Sequence, residues 1–278
     1  MSGFSPDWLA LREPVDHRSR DKVLAARLEK HFAGRDRVAI VDLGCGAGSN
    51  IRATSALLPA KQNWTLVDYD PRLLQAARAT LMDWACSATV RDDALLLMKF
   101  GKSLHVSFRQ CDLNRDLAAA LGENPDLVTA SALFDLCSGS FIRACAEAVA
   151  RRRAVFYTVL TYNGQMSWRP AHPDDGLIEK AFNGHQLGDK GFGPADGYHA
   201  PQTLAAAFEA AGYTVEAGDS PWVLEAADQK LLAEVTGGLV NAVGERDVVH
   251  PDTVAAWARA ARTGGRVGHT DTLALPAG

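Results

Sequence analysis

Long apolar runs, paired cysteines and an excess of either charge are all missing from this 278-residue sequence. Its cysteines are scattered, odd in number and without a C-x-x-C pair or a Cys/His metal spacing, which favours reduced thiols and no metal site. No apolar stretch is long enough to cross a bilayer, and the N-terminus lacks the basic-then-apolar pattern of a secretion signal. We therefore expect a cytoplasmic protein without membrane contact. The five cysteines are Cys45, Cys86, Cys111, Cys137 and Cys145.

The charge balance argues against nucleic acid as a partner. Twenty-nine basic and 33 acidic residues give a net charge of −4, so the chain has no general attraction to phosphate backbones. The one dense basic run, residues 151–153, fits the C-terminal end of a helix better than a nucleic-acid patch. The hydrophobic fraction of 47% is ordinary for a globular protein.

The feature around which the chain is organised is a glycine-rich loop at residues 44–48. Four β-favouring residues, 38–41, run into Asp42 and then into three glycines at alternate positions, after which a helical pattern begins. Glycine allows a positive φ and lets a ligand press against the backbone. The pattern predicts a strand, a tight loop and a helix that together hold a nucleotide-like cofactor.

The spacing of the glycines discriminates between cofactors. A dinucleotide fingerprint places its last glycine three positions after the second, whereas Gly48 follows Gly46 by two. A tight turn without a ligand would also use glycines, so the loop alone does not decide.

Carboxylates follow the next two predicted strands. Asp68 ends the strand over 64–67, where an acid suits the two hydroxyls of a ribose. Asp70 then caps the helix that Pro71 opens, and Tyr69 is expected beside the adenine or the ribose. Asp112 ends the strand over 105–111; it either binds the adenine edge together with a backbone N–H or caps the following helix.

Residues from about 36 to 162 resemble the cofactor-binding core of class I S-adenosylmethionine-dependent methyltransferases, through the D-x-G-x-G-x-G run that starts at Asp42, through Asp68 and Asp112, and through the segment 129–136. The resemblance implies a Rossmann-like α/β fold: a seven-stranded, mostly parallel sheet with an antiparallel last strand and helices on both faces. It also implies that S-adenosylmethionine is the cofactor and S-adenosylhomocysteine its product. The residues expected at the cofactor are Asp42, Gly44, Cys45, Gly46, Gly48, Asp68, Tyr69, Asp112, Leu113 and Ser131.

One domain, 1–278, is expected. An N-terminal helical block (1–35, with helices over 4–14 and 15–32) precedes the core (36–162), which is followed by a substrate loop or lid (163–200) and a C-terminal part with a helical insertion (201–278). The apolar run 94–100 predicts a short helix, and 154–160 predicts the fifth strand. The sixth strand, 213–216, is expected to continue through 222–224, and 267–275 is the expected last strand. The inserted helices, over 228–243 and 253–261, suit either a cap or a dimer surface.

The acceptor site is expected in the substrate loop and the N-terminal block, because loops on a rigid sheet often carry substrate groups. The candidate catalytic residues are Asp135, His185, His172 and Tyr162. The candidate substrate-binding residues are Trp8, Arg12, Arg20, Gln186 and Lys190.

The predicted function is methyl transfer to a small-molecule acceptor, by a monomer or homodimer. Transfer from a sulfonium is an in-line displacement that depends on alignment and on exclusion of water, and a base is needed only when the acceptor loses a proton. Three alternatives stay open: an RNA-modifying methyltransferase, a protein that binds the cofactor without methylating, and an NAD(P)-dependent oxidoreductase.

Overall fold

The computed structural model describes residues 4–277, and its centre is a ten-stranded sheet with the order β3-β4-β5-β2-β1-β6-β7-β10-β8, with β9 paired to β10. The strands are β1 Arg37–Leu43, β2 Lys61–Asp68, β3 Ser87–Arg91, β4 Ala94–Lys99, β5 Lys102–Gln110, β6 Leu127–Ser131, β7 Val155–Arg169, β8 Tyr213–Asp219, β9 Trp222–Leu224 and β10 Gly264–Pro276.

Helices connect these strands and cover the sheet. They are α1 Pro6–Ser19, α2 Lys22–Phe32, α3 Ser49–Thr54, α4 Pro71–Trp84, α5 Leu113–Leu121, α6 Gly139–Arg151, α7 Asp175–Gln186, α8 Ala200–Ala210, α9 Gln229–Gly244 and α10 Pro251–Arg259. No helix within residues 4–277 has the length and apolar character needed to span a membrane.

The central strands follow the expected topology. β5, β2, β1, β6 and β7 pair in parallel, and β10 lies antiparallel between β7 and β8. The Rossmann-like, mostly parallel sheet with an antiparallel last strand is thus confirmed. The predicted strand count of seven was too low, because β3, β4 and β9 add to it.

The sheet separates two apolar cores. Alternate residues of β1 point to opposite faces, so Val38 and Ile40 join one core while Val41 and Leu43 join the other. Leu28 of α2 packs in the first core and Phe208 of α8 packs in the second. Helices therefore cover both faces, as predicted.

The predicted short helix at 94–100 is wrong, because this segment is strand β4 of a hairpin with β3. Leu95 and Leu97 alternate with more exposed neighbours and reach the core, while Ala88 lies opposite Leu97. The buried residues thus recur with the period of two of a strand and not the 3.6 of a helix. The hairpin pairs through β4 with the edge of β5.

Strand β7 is longer than predicted and takes over the start of the expected substrate loop. Residues 161–169 continue the strand beyond Leu160, which has a left-handed φ of 59° and lies at a register shift opposite β10. The Asp271 carboxylate accepts the Leu160 N–H at 2.8 Å and the Asp21 N–H at 2.9 Å. One carboxylate therefore joins the irregular point of β7 to the start of α2.

The N-terminal block divides later than predicted. Helix α1 continues through Pro14, and the break falls at residues 20–21. Helix α1 is held against α3 on both sides of Pro14, by the Glu13–Arg52 ion pair and by the His17 ring, whose Nε2 lies 2.9 Å from Ser49 Oγ.

Two predictions concern the C-terminal part. Residues 222–224 do not extend β8 but form the separate strand β9, which pairs with a different stretch of β10. The inserted helices α9 and α10 exist within a few residues of their predicted bounds and pack into the first core, through Leu239 and Trp257.

A cofactor-sized cleft at the strand ends

A cleft of about 530 Å³ opens at the carboxyl ends of β1, β2, β5 and β6. Ligands of open α/β sheets bind at this edge, and the volume suits a small organic cofactor. Its wall is formed by α1, the glycine loop, the ends of β2 and β5 with Asp68 and Asp112, the turn after β6 and the loop after α7. The lining residues include Leu9, Arg12, Gly44, Cys45, Gly46, Asp68, Tyr69, Asp112, Leu113, Ser131, Leu133, Lys190 and Phe192.

The three glycines of the loop occupy positions that disfavour a side chain. Gly44, Gly46 and Gly48 have φ values of 62°, 53° and 76°, a left-handed conformation that glycine adopts at little cost. A Cβ on Gly44 would lie 3.0 Å from Leu133 Cδ1, and one on Gly46 would lie 3.1 Å from Leu9 Cδ1. The loop thus packs closely against two residues of the cleft wall. Gly48 is not part of that wall.

Asp68 joins the glycine loop to the neighbouring strand. Its carboxylate accepts the Gly46 N–H at 2.9 Å through Oδ2 and the Asp70 N–H at 3.0 Å through Oδ1. Burial raises the pKa of Asp68, while these backbone hydrogen bonds act in the opposite direction. Asp70 caps α4, as predicted, through the Arg72 N–H.

Asp112 performs the capping role considered for it and also lies at the cleft wall. Its side chain accepts the Asn114 N–H at 3.0 Å and so caps α5, and it also lines the cleft beside Leu113. The Arg115 guanidinium lies 3.4 Å from the Asp112 carboxylate and partly neutralises its negative charge. The pair Asp68 and Asp112 gives this end of the cleft an acidic, hydrogen-bond-accepting wall.

Asp42 lies behind the glycine loop and not in the cleft wall. The carboxyl is fully buried and accepts the Asn50 amide at 2.8 Å through Oδ1, while Oδ2 has no partner. Burial raises the pKa of Asp42 to about 7. Asn50 also bonds Thr129 at 3.1 Å, so this buried group fixes α3 to the sheet.

Helix α1 forms the roof of the cleft. Arg12 donates to Asp16 at 2.8 Å and stacks over Trp222, with 5.0 Å between the guanidinium carbon and the ring centroid. Asp16 also accepts the Trp222 indole N–H at 2.8 Å. Arg12 therefore reaches the cleft with its charge balanced. Trp8 packs edge-on against Trp222, outside the cleft wall.

Several predicted acceptor residues lie away from the cleft wall. The Arg20 guanidinium donates to Thr54 at 2.9 Å, beneath α1. The Tyr162 hydroxyl donates to Asn183 at 2.7 Å, and burial raises its pKa far above the ordinary value. The His172 ring accepts the Asp174 N–H before α7, and Gln186 ends that helix.

Lys190 does line the cleft, and His185 stands behind it. The Lys190 ammonium lies 3.4 Å from His185 Nδ1, and His185 Nε2 lies 2.9 Å from the Glu245 carboxylate. The structure thus brings these two candidates together but places only the lysine at the cavity.

Asp135 is buried directly beside the cleft, in the turn between the lining residues Leu133 and Leu136. Its Oδ1 is inaccessible to solvent and has no hydrogen-bond partner. Burial raises the pKa of Asp135 to about 6, and the nearby Arg12 charge acts against that rise.

Sequence reasoning missed several residues of the site. Phe192 lines the cleft and packs on Phe141, with 4.7 Å between ring centroids. Trp222 holds Arg12 and Asp16 although about 210 positions separate it from them, so no local pattern marks it. Leu133 is an ordinary apolar residue in sequence. Within residues 4–277, no three or more His, Cys, Asp or Glu side chains are grouped so as to hold a metal ion.

Solved structures share this fold. The YcgJ protein of Bacillus subtilis is 14% identical, with 94% of this chain and 100% of that chain covered at a TM-score of 0.53. A candidate methyltransferase from Bacillus halodurans is 13% identical, with coverage of 91% and 99% and a TM-score of 0.53. A cyclopropane synthase from Mycobacterium tuberculosis is 11% identical, with coverage of 98% and 94% and a TM-score of 0.51. No protein-family model and no curated protein sequence matches the chain.

Proposed function

We propose that this protein binds S-adenosylmethionine in the cleft and transfers its methyl group to a small-molecule acceptor. The observation that carries the proposal is the hydrogen bond between Gly46 and Asp68, which brings a glycine-rich loop and a buried carboxylate to one wall of a cavity. Asp112 at the next strand end completes the wall.

The residues present fit this cofactor. The Asp68 carboxylate suits a ribose diol, since it accepts hydrogen bonds and would repel a 2′-phosphate. Asp112 and the Leu113 backbone suit an adenine edge, and the exposed Tyr69 ring offers a stacking surface. Gly44 and Gly46 present backbone without a side chain at the cleft wall, so a ligand can lie against the main chain there. When bound, S-adenosylmethionine supplies an electrophilic methyl group on a sulfonium.

The protein's own task is then to align the acceptor and to exclude water. Leu9 and Phe192 cover the cleft from α1 and from the loop after α7. Asp135 takes up the proton when the acceptor must lose one. Its raised pKa of about 6 lies near neutrality, where a base is partly available and still basic enough to act.

The features of the chain weigh against the other candidates. In dinucleotide-binding sheets the sixth strand lies beside the fifth and runs parallel to it. Here the antiparallel strand β10 lies between β7 and β8. The cleft wall carries Asp16, Asp68 and Asp112 beside its cations, which does not favour a polyanionic nucleic acid.

Isothermal titration calorimetry with S-adenosylhomocysteine and with NAD tests the cofactor. We expect binding of the former and none of the latter, and the reverse result would overturn the proposal. Incubation with labelled S-adenosylmethionine, pooled metabolites and total RNA then tests transfer. Label in the RNA alone would identify an RNA-modifying enzyme, and binding without any product would identify a protein that uses the cofactor differently.

A further inference from the structure

Lys190 differs from the other cations of the cleft wall in its charge balance. Arg12 is paired with Asp16 at 2.8 Å, and Arg72 is paired with Asp70 at 2.7 Å. Among the ion pairs of residues 4–277, none within 4.0 Å involves Lys190. Its ammonium is thus an unneutralised positive charge on the wall of the cavity.

The His185 ring orients this ammonium without neutralising it. An ionised Glu245 carboxylate only accepts hydrogen bonds, so the proton of the imidazole lies on Nε2 and the lone pair on Nδ1. Lys190 therefore donates one of its three N–H bonds to Nδ1. The other two N–H bonds are available to a ligand.

The loop that carries Lys190 is braced at both ends. The Asp189 carboxylate accepts the Gly191 N–H at 2.7 Å and the Gly193 N–H at 3.1 Å, and Asp189 pairs with Pro194 in a β-bridge. Phe192 is anchored on Phe141 of α6. These contacts fix the backbone on both sides of Lys190, and the contact of its ammonium with His185 Nδ1 places the side chain at the cleft wall.

Burial lowers the pKa of Lys190, and the more distant Glu245 charge acts against that change. An ammonium responds in this way when it loses water without gaining a full counter-charge. An anionic ligand at this position would supply that counter-charge.

The cleft wall that Lys190 shares is largely apolar. Phe4 contributes to it from just before α1, Leu9 from α1, Leu133 and Leu136 from the turn after β6, and Phe192 from the same loop as the lysine. A ligand that matches both features has an apolar body and one anionic end.

We propose that the methyl acceptor is a small carboxylic acid with an apolar body, and that its carboxylate binds the Lys190 ammonium. The inference rests on the proposed methyl transfer and specifies its substrate class. Lys190 is then a specificity residue, while His185 and Glu245 act through it as positioning residues.

The cofactor itself carries a carboxylate, which is the competing ligand for this lysine. The experiment therefore measures S-adenosylhomocysteine binding first, by calorimetry, in the wild type, in Lys190→Met and in Lys180→Met. Lys180 is an exposed lysine of α7 outside the cleft wall, so its variant is the matched control. Each protein is then saturated with S-adenosylhomocysteine and titrated with phenylacetate, phenylacetamide, hexanoate and hexanamide, with binding followed by ligand-observed NMR.

We expect each acid to bind about tenfold more tightly than its amide in the wild type and in Lys180→Met, the preference that a charge-assisted hydrogen bond confers. In Lys190→Met that preference should disappear while S-adenosylhomocysteine affinity stays unchanged. Equal binding of acids and amides by the wild type, no binding of either, or a preference that survives Lys190→Met would each overturn the inference. Weaker S-adenosylhomocysteine binding by Lys190→Met would also overturn it, because the lysine would then hold the cofactor. Failure of the wild type to bind S-adenosylhomocysteine would instead count against the proposed function.

Discussion

The backbone N–H of Gly46 donates a 2.9 Å hydrogen bond to the Asp68 carboxylate and so ties the loop after β1 to the end of β2. These two residues are 22 positions apart: Gly46 lies in the loop after β1, and Asp68 is the last residue of the adjacent parallel strand β2. The loop is thus fixed in position by the same carboxylate that faces the cleft. Asp68 therefore has a structural role in addition to the ligand-binding role proposed for it.

Replacing Asp68 by Asn should weaken S-adenosylhomocysteine binding by at least about tenfold, because a charged acceptor is worth more than a neutral one in a buried site. Calorimetry measures the change. The matched control is Asp36→Asn, since Asp36 is exposed, pairs with Lys61 and lies outside the cleft wall. An equal loss of affinity in both variants would argue against a direct role for Asp68.

Replacing Gly46 by Ala should lower both cofactor affinity and stability. Its left-handed backbone would cost about 1–2 kcal/mol with any Cβ, and the added Cβ would press on Leu9 of the roof. Gly101→Ala is the control, because Gly101 has a φ of 71° with nothing within 4 Å of the added Cβ. Urea unfolding should show a loss in both variants, with the larger loss in Gly46→Ala, whereas calorimetry should show weaker binding only in Gly46→Ala.

Breaking the Glu13–Arg52 ion pair should destabilise the protein and weaken the packing of α1 against α3. The Arg52 side chain is 5% exposed, so Arg52→Met leaves Glu13 with only its longer 3.6 Å contact to His17 and should cost about 3 kcal/mol. Lys61→Met breaks a pair whose members are 57% and 66% exposed, and it should cost less than about 1 kcal/mol. Urea unfolding compares them, and limited proteolysis should cut near α1 faster in Arg52→Met. Equal stability losses would show that burial of the pair is unimportant.

The stability of the protein should depend on the buried Asp42 carboxyl in a defined pH window. Its pKa is near 3.8 when unfolded and about 7 when folded, so between these values the folded state binds more protons and stability falls as pH rises. His269 acts in the opposite sense: burial lowers its pKa to about 3, so its contribution is lost as pH falls below about 6.5. The informative quantity is therefore the difference in the free energy of unfolding between the wild type and Asp42→Asn. The asparagine keeps an acceptor for Asn50. From pH 4 to pH 7 the wild type should lose stability relative to the variant. A difference that stays constant over this range would contradict a raised pKa of the buried Asp42 carboxyl.

Replacing Asp135 by Asn should slow methyl transfer by about 10² to 10⁴ for an acceptor that loses a proton, the usual contribution of a general base. The wild-type rate should fall below about pH 6, where the Asp135 carboxyl becomes protonated, and S-adenosylhomocysteine affinity should stay the same. Product formation from pooled metabolites measures the rate. An unchanged rate and pH profile would remove Asp135 from the proton-transfer step.

Local patterns predicted those parts of the fold that local physics decides. The glycine loop and the cap at Asp70 follow from residue type and spacing, as does the cap at Asp112 that was one of two alternatives there, whereas the antiparallel last strand was implied by the family resemblance. The leucine run after Asp93 was predicted as a helix because leucine favours helices. Its pairing with residues 87–91 makes this segment a strand.

Other features depend on contacts that no short segment contains. The break between α1 and α2 was misplaced at Pro14, because Glu13 and His17 find partners on α3. The extension of β7 past Leu160 needs Asp271, and the orientation of Lys190 needs Glu245. The candidate site was therefore predictable where a carboxylate or glycine follows a strand, and unpredictable where a distant helix or strand supplies the partner.

The double hydrogen bond to Asp271 has a consequence for the order in which the protein assembles during synthesis. Asp21 and Asp271 are 250 positions apart, and ribosomes add about 5–20 residues per second. The start of α2 therefore waits roughly 12 to 50 s for its acceptor. During that interval the irregular point of β7 also lacks its partner strand, so the nascent chain has its glycine loop before α2 and β7 are joined through Asp271.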